Sequence, residues 1–198
     1  MHLFKSFAAA TLFTVATTAT ALQIDYVGSF GPGVEGGAEI AAFDPESIRL
    51  FVTNSDSNVL DRYDLSDPTA PTTLSSIDLS PFGAAPNSVA VANGRIAVAV
   101  EAAVAQDPGA VVFFDADGTL LGQVTVGALP DMVTFTPDGN RLLVANEGEP
   151  NDDYTVDPEG SVSIIDLSGG IGGATVQTAT FTDFNVGGPL NGDLPADV

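Results

Sequence analysis

Three stretches of this 198-residue chain repeat one another at a fixed interval, and that periodicity restricts the fold more than any other feature. The first is AEIAAFDPESIRLFVTN, Ala38 to Asn54; the second NSVAVANGRIAVAVE, Asn87 to Glu101; the third DMVTFTPDGNRLLVANE, Asp131 to Glu147. In each, an alternating apolar stretch enters a polar turn and an arginine opens a second apolar stretch. Arg49, Arg95 and Arg141 are 46 residues apart both times. A repeat of about 40 to 50 residues is the mark of propellers and solenoids rather than of an ordinary single core.

Two further β-rich runs complete each unit. Val59 to Leu65, Val111 to Asp115 and Val162 to Leu167 are the expected third strands; Leu74 to Leu79, Leu121 to Val126 and Val176 to Phe181 are the expected fourth. The period-2 alternation of Val89, Val91, Ile96, Val98 and Val100 is that of half-buried strands, and Asn93-Gly94 and Asp138-Gly139 are hairpin-turn dipeptides. These observations predict an all-β chain, a WD40-like β-propeller with four-stranded blades over 37–84, 85–128 and 129–182, preceded by a strand or linker over 22–36. A parallel β-helix or a β-sandwich is the alternative, and neither accounts as directly for the fixed arginine spacing. Propellers use about four to eight blades, so three leave the ring incomplete. Further C-terminal blades are expected, from a longer polypeptide or a partner, with 183–198 starting the next one.

The N-terminus reads as a signal peptide over 1–21. Lys5 precedes an apolar run, Phe7 to Val15, that is too short to span a bilayer, and Ala19-Thr20-Ala21 supplies the small residues of a cleavage site. A buried N-terminal helix or a membrane anchor is the competing reading. Secretion places the chain outside the cell, on the cell surface or in the periplasm.

Cleavage before Leu22 removes the single His and the single Lys. It leaves 177 residues with four arginines against 26 acids, hence a formal charge of −22. With no Cys anywhere, a disulfide framework, a Ser-His-Asp triad, a Schiff-base lysine and a His- or Cys-ligated zinc are all excluded from the mature segment. The charge argues equally against nucleic acid and anionic lipid as partners. Yet 44% of the residues are hydrophobic, so this is not an acidic disordered tail. What remains is oxygen chemistry, suited to hard cations such as calcium.

The acids fall in a pattern. The loops joining second to third strands, Thr53 to Asn58, Glu101 to Gly109 and Asn146 to Gly160, emerge at one end of the blades, where the blade starts also place Glu39, Asn87 and Asp131. The loop after the third arginine strand, NEGEPNDDYTVDPEG, carries six carboxylates within 13 residues. Like charge at that density is costly unless water or a cation screens it. The candidate metal ligands are Asp131, Glu147, Glu149, Asp152, Asp153 and Asp157, with Ca2+ the candidate ion; Glu39, Asn87 and Arg141 are weaker candidates for contacting a substrate. The spacing is not that of an EF-hand, and a solvated acidic loop without an ion is the competing reading. Arg49, Arg95 and Arg141 are otherwise expected to serve blade packing.

The three repeats, with the stretch NEGEPNDDYTVDPEGSVSIIDL, Asn146 to Leu167, as their most specific part, resemble the choice-of-anchor I family of bacterial secreted β-propellers. That family is similar to echinoderm mesenchyme-specific cell-surface glycoproteins linked to biomineralisation, and its members often carry alkaline-phosphatase-like or phytase-like labels. The resemblance covers Gly37 to about Leu167. It implies a longer extracellular propeller with an anchoring segment beyond these blades. Three functions follow as expectations: a binding module presenting acidic loops to calcium, to a cationic or mineral surface or to an extracellular protein; a calcium-dependent phosphoester hydrolase in which metal ions activate water; or a scaffold without ligand.

Overall fold

The computed structural model describes residues 26–31, 33 and 37–193, so the signal peptide expected over 1–21 lies outside the described residues. The described chain forms three antiparallel sheets in sequence order. Sheet 1 comprises β1 (Ala41–Asp44), β2 (Arg49–Asn54), β3 (Val59–Asp64), β4 (Thr72–Thr73) and β5 (Ile77–Asp78). Sheet 2 comprises β6 (Pro86–Ala92), β7 (Arg95–Val100), β8 (Pro108–Asp115) and β9 (Leu120–Ala128). Sheet 3 comprises β10 (Pro130–Phe135), β11 (Arg141–Asn146), β12 (Ser161–Asp166) and β13 (Thr175–Thr180). In sheets 2 and 3 each strand pairs with the next in sequence, giving the up-and-down meander that the repeats predict.

Local chemistry explains the turns. Asn93 and Gly94 both take positive φ, 52° and 66°, the two-residue loop whose twist matches that of the strands it joins. Gly139 takes φ 68° in the corresponding turn of sheet 3. In place of one strand over Leu74 to Leu79, two short strands pair with β3: β4 just before that range and β5 within it, with 74–76 out of the ladder. The cause is Arg62. Its Nε donates to the Ser75 carbonyl at 2.8 Å and its Nη2 to the Ser75 hydroxyl at 2.7 Å, holding that residue out of the ladder.

Strand alternation gives each sheet two faces, and the apolar faces pack sheet on sheet. Phe51 and Leu60 of sheet 1 meet Val89, Ile96, Val98, Val100, Val112 and Phe114 of sheet 2 in one cluster. The opposite face of sheet 2, with Ala97, Ala99, Val111 and Phe113, meets Val133, Leu142, Val144 and Ile165 of sheet 3 in a second. Each large side chain buried here contributes about 1.5–3 kcal/mol. Sheet 2 is therefore covered on both sides, whereas sheets 1 and 3 are each packed against it on one. The described residues form three blade-like sheets and no closed ring.

Candidate functional site

The strand directions sort the polar residues between two ends of the sheets. At one end lie the turns β1–β2, β6–β7 and β10–β11, each followed by an arginine. At the other lie the loops 55–58, 101–107 and 147–160, together with the residues that start each sheet. The second end is the acidic one anticipated from sequence.

Its framework is a series of struts between sheets. Asn87 sits in a bulge after Pro86, and its Nδ2 donates to the Pro130 carbonyl at 3.1 Å and to Glu101 at 3.4 Å. Asp131 occupies the corresponding bulge after Pro130 and is exposed. Glu39 accepts from the Ser55 hydroxyl at 2.6 Å. Asn146 reaches back to sheet 2, where its Oδ1 accepts from the Gly127 N–H at 3.1 Å, while its Nδ2 donates to the hydroxyls of Ser161 and Ser163 at 3.1 and 2.9 Å.

The loop 147–160 is pinched at its base. Glu147 N–H donates to the Leu129 carbonyl at 2.8 Å, and Gly148 adopts φ 70° with the Pro158 carbonyl so close that a Cβ would stand 2.5 Å from it. Only glycine fits both the backbone angle and the space. The tip is a small self-bonded unit: Asn151 Oδ1 accepts from Val156 N–H at 2.9 Å, Tyr154 N–H donates to the Asn151 carbonyl at 2.9 Å, and the Thr155 hydroxyl donates to Asp153 at 2.7 Å. That hydroxyl, followed by the Thr155 N–H, holds the Asp153 carboxyl below the ordinary aspartate range. Gln106 of the neighbouring loop donates to the Glu149 carbonyl at 3.2 Å, so the two loops lie side by side.

Glu147, Glu149, Asp152, Asp153 and Asp157 are all exposed, as Asp131 is. Among the described residues, however, no three acidic side chains stand where they could share one ion. The loop's own turn chemistry spreads the carboxylates into solvent rather than converging them. Tyr154, with φ 56° and 76% exposed, is a large aromatic at the tip of this loop that the charge pattern alone did not single out.

Arg141 is not part of this arrangement. It opens β11, whereas Asn146 closes it against Pro130, so the strand's length separates Arg141 from Asp131 and Glu147. At the far end Arg49 and Arg95 latch neighbouring sheets, whereas Arg141 pairs with Asp166 of its own sheet at 3.9 Å. Arg49 Nη1 donates to the Ala116 carbonyl at 2.6 Å and to Asp117 at 2.7 Å. Arg95 Nη2 donates to the Gly139 carbonyl at 2.5 Å, with its guanidinium 5.7 Å from the centre of the Phe135 ring. Arg62, which sequence reading left without a role, adds a bond to the Ala116 carbonyl at 3.2 Å; burial is the main cause of the lowering of its pKa, and Arg49 nearby contributes. The described ion pairs, Arg49–Asp117 and Arg141–Asp166, both lie at the arginine end.

Comparison with known proteins agrees with this architecture. A mesenchyme-specific cell surface glycoprotein of Strongylocentrotus purpuratus is 35% identical over 74 residues, which is 35% of this chain and 10% of the glycoprotein. A luciferin-regenerating enzyme superposes with a TM-score of 0.52 at 19% identity, over 73% of this chain and 47% of that one. A chain of a nidogen/laminin complex gives 0.49 at 17%, over 72% and 48%. This chain thus spans a tenth of its curated relative and about half of each solved structure. At 19% identity the luciferin-regenerating enzyme speaks to fold alone. No helix among the described residues is long and apolar enough to cross a membrane. The choice-of-anchor I domain matches residues 39–188, and the chain belongs to that family.

Proposed function

We propose that this chain is a secreted, cell-surface-associated module of a β-propeller, and that its acidic loop end binds calcium-bearing or otherwise cationic surfaces through many exposed carboxylates rather than through one coordinating cage. The observation that carries the reading is the segregation of charge. Glu147, Glu149, Asp152, Asp153 and Asp157 face solvent on one loop with Asp131 beside them, while the described ion pairs lie at the opposite end of the sheets. Carboxylates without cationic neighbours repel one another, and a divalent ion or a cationic lattice relieves that repulsion most where several act together. Because the side chains do not converge, each contact is weak, and the affinity lies toward the 10⁻⁴–10⁻³ M range of extracellular calcium sites. Interactions of this kind fade once the Debye length shrinks to a few ångströms.

A hydrolase mechanism finds less support in this geometry, since the candidate ligands diverge and Arg141 lies at the wrong end to meet a phosphoester beside them. The test is retention of the 22–198 chain on a calcium mineral. Replacing Asp152, Asp153 and Asp157 by Asn is expected to cut retention severalfold, and 1 M NaCl to abolish it. Equal retention of parent and triple variant would refute the assignment.

A further inference from the structure

The outer face of sheet 1 buries a charge where the repeat elsewhere has none. Phe51 and Leu60 face sheet 2, so strand alternation turns Val52, Asn54, Asp61 and Tyr63 to the opposite side. Val52, Val98 and Val144 occupy one position of the 46-residue repeat, and their cross-strand partners are Asp61, Val112 and Ser163. Only sheet 1 places a carboxylate there, and Asp61 is 7% exposed. Asn54 Nδ2 donates to its Oδ2 at 3.0 Å and the Ser76 hydroxyl to its Oδ1 at 2.5 Å. A carboxylate accepts about four hydrogen bonds, so part of its capacity stays open. Neither donor is charged, and an uncompensated buried charge is costly. Among the described residues no cation answers it: Arg49 and Arg62 are bonded to Ala116, Arg95 to Gly139, and Arg141 pairs with Asp166.

Asp61 lies in the wall of a cleft. Asn54, Asp61, Thr73 and Ser76 line a polar hollow of about 450 Å³, and Phe30, Leu50 and Val52 an apolar one of about 270 Å³. Gly31 and Tyr63 line both, so the two are halves of one cleft bordered by residues 29–31. Phe30 stands edge-on to Tyr63, with ring centres 4.8 Å apart. Burial, then the Asp61 charge, pushes the Tyr63 hydroxyl above its ordinary range, so it stays neutral. A concave site with apolar walls and a few convergent polar groups is what a small ligand requires. An aromatic ring beside a buried carboxylate selects an organic cation. We infer that this cleft binds a small primary ammonium compound with an apolar body, the ammonium on Asp61 and the body against Tyr63 and Phe30.

The test is a calorimetric titration of 2-phenylethylammonium into the full natural polypeptide. Saturable binding is expected, at least tenfold tighter than that of 2-phenylethanol, which lacks the charge, and of ethylammonium, which lacks the ring. Asp61→Asn is expected to weaken binding at least tenfold and to melt no lower than the parent, because it removes a buried charge and keeps the shape. Replacing Asp152, Asp153 and Asp157 by Asn leaves binding unchanged, which separates this site from the acidic loop of sheet 3. No saturable binding at millimolar probe, or equal affinity for the alcohol, overturns the proposal. So does loss of binding in the loop variant with Asp61→Asn unaffected, or a lower melt of Asp61→Asn with binding unchanged, which would make Asp61 a structural group alone. The comparison of probes needs no variant, so it decides the matter even where Asp61→Asn fails to fold.

Discussion

Replacing Arg95 by Ala isolates the device that joins sheet 2 to sheet 3. The loss has two parts. A charged hydrogen bond to a carbonyl, here at 2.5 Å to Gly139, contributes about 1.5–3 kcal/mol. The guanidinium over Phe135 at 5.7 Å adds about 0.5–1 kcal/mol. Arg95 is half-buried, so water competes for both, and the lower halves of these ranges apply: about 2 kcal/mol in all. For a chain of this size that corresponds to a melting temperature lower by about 4–8 °C. The assay is a calorimetric or circular-dichroism melt of the 22–198 chain. Arg95→Lys keeps the charge but loses the planar fork, and recovers less than half of the loss. Arg141→Ala in the same chain shifts the melt by less than about 2 °C, because its nearest carboxylate is 3.9 Å away and both groups are largely exposed. Equal losses from Arg95→Ala and Arg141→Ala, or none from Arg95→Ala, would refute the latch.

Three further outcomes follow from the packing and the turns. Leu142→Ala empties a fully buried site between sheets 2 and 3 and costs about 2–5 kcal/mol, read from chemical denaturation. Gly148→Ala forces a side chain into positive φ against the Pro158 carbonyl; it costs about 1–3 kcal/mol and speeds proteolysis within 151–157, whereas Gly170→Ala, at φ 77° with open space around it, costs only about 1 kcal/mol. The Thr136 hydroxyl, then the Asn140 N–H and side-chain amide, hold the Asp138 carboxyl below its ordinary range. A depressed folded value means the bonded carboxylate stabilises fully above the ordinary aspartate pKa of about 4, and that contribution is lost as pH falls through the folded value. The difference in melting temperature between parent and Asp138→Ala is therefore present at pH 6 and closes below about pH 4; a difference independent of pH would contradict this.

The architecture was legible because the repeat is an energetic unit. The alternation of Ile96, Val98 and Val100 marks strands with one buried face, whereas Ala97 and Ala99 are buried as well because sheet 3 covers the other face; the 46-residue arginine spacing encodes the latches that Arg49 and Arg95 form to the next sheet. The broken fourth strand of sheet 1 was not legible, because it depends on Arg62 turning toward Ser75 thirteen residues away. The acidic loop was visible as composition, but its geometry was not. Whether six carboxylates converge or diverge is decided by Asn151, Thr155 and the pinch at Gly148, local bonds that a charge count does not register. Arg141 shows the same gap from the other side: a candidate for contacting a substrate beside the acidic ligands, it is separated from them by the length of β11.

Calorimetric titration of calcium into the 22–198 chain, at low and at high ionic strength, bears most directly on the proposed role. Weak binding is expected, in the 10⁻⁴–10⁻³ M range, strongly reduced by salt, diminished when Asp152, Asp153 and Asp157 are replaced by Asn, and accompanied by a melting temperature raised by calcium. Tight, salt-insensitive binding would instead reveal a coordinating cage. No heat and no shift at millimolar calcium would contradict the assignment of the acidic end as a cation-binding surface.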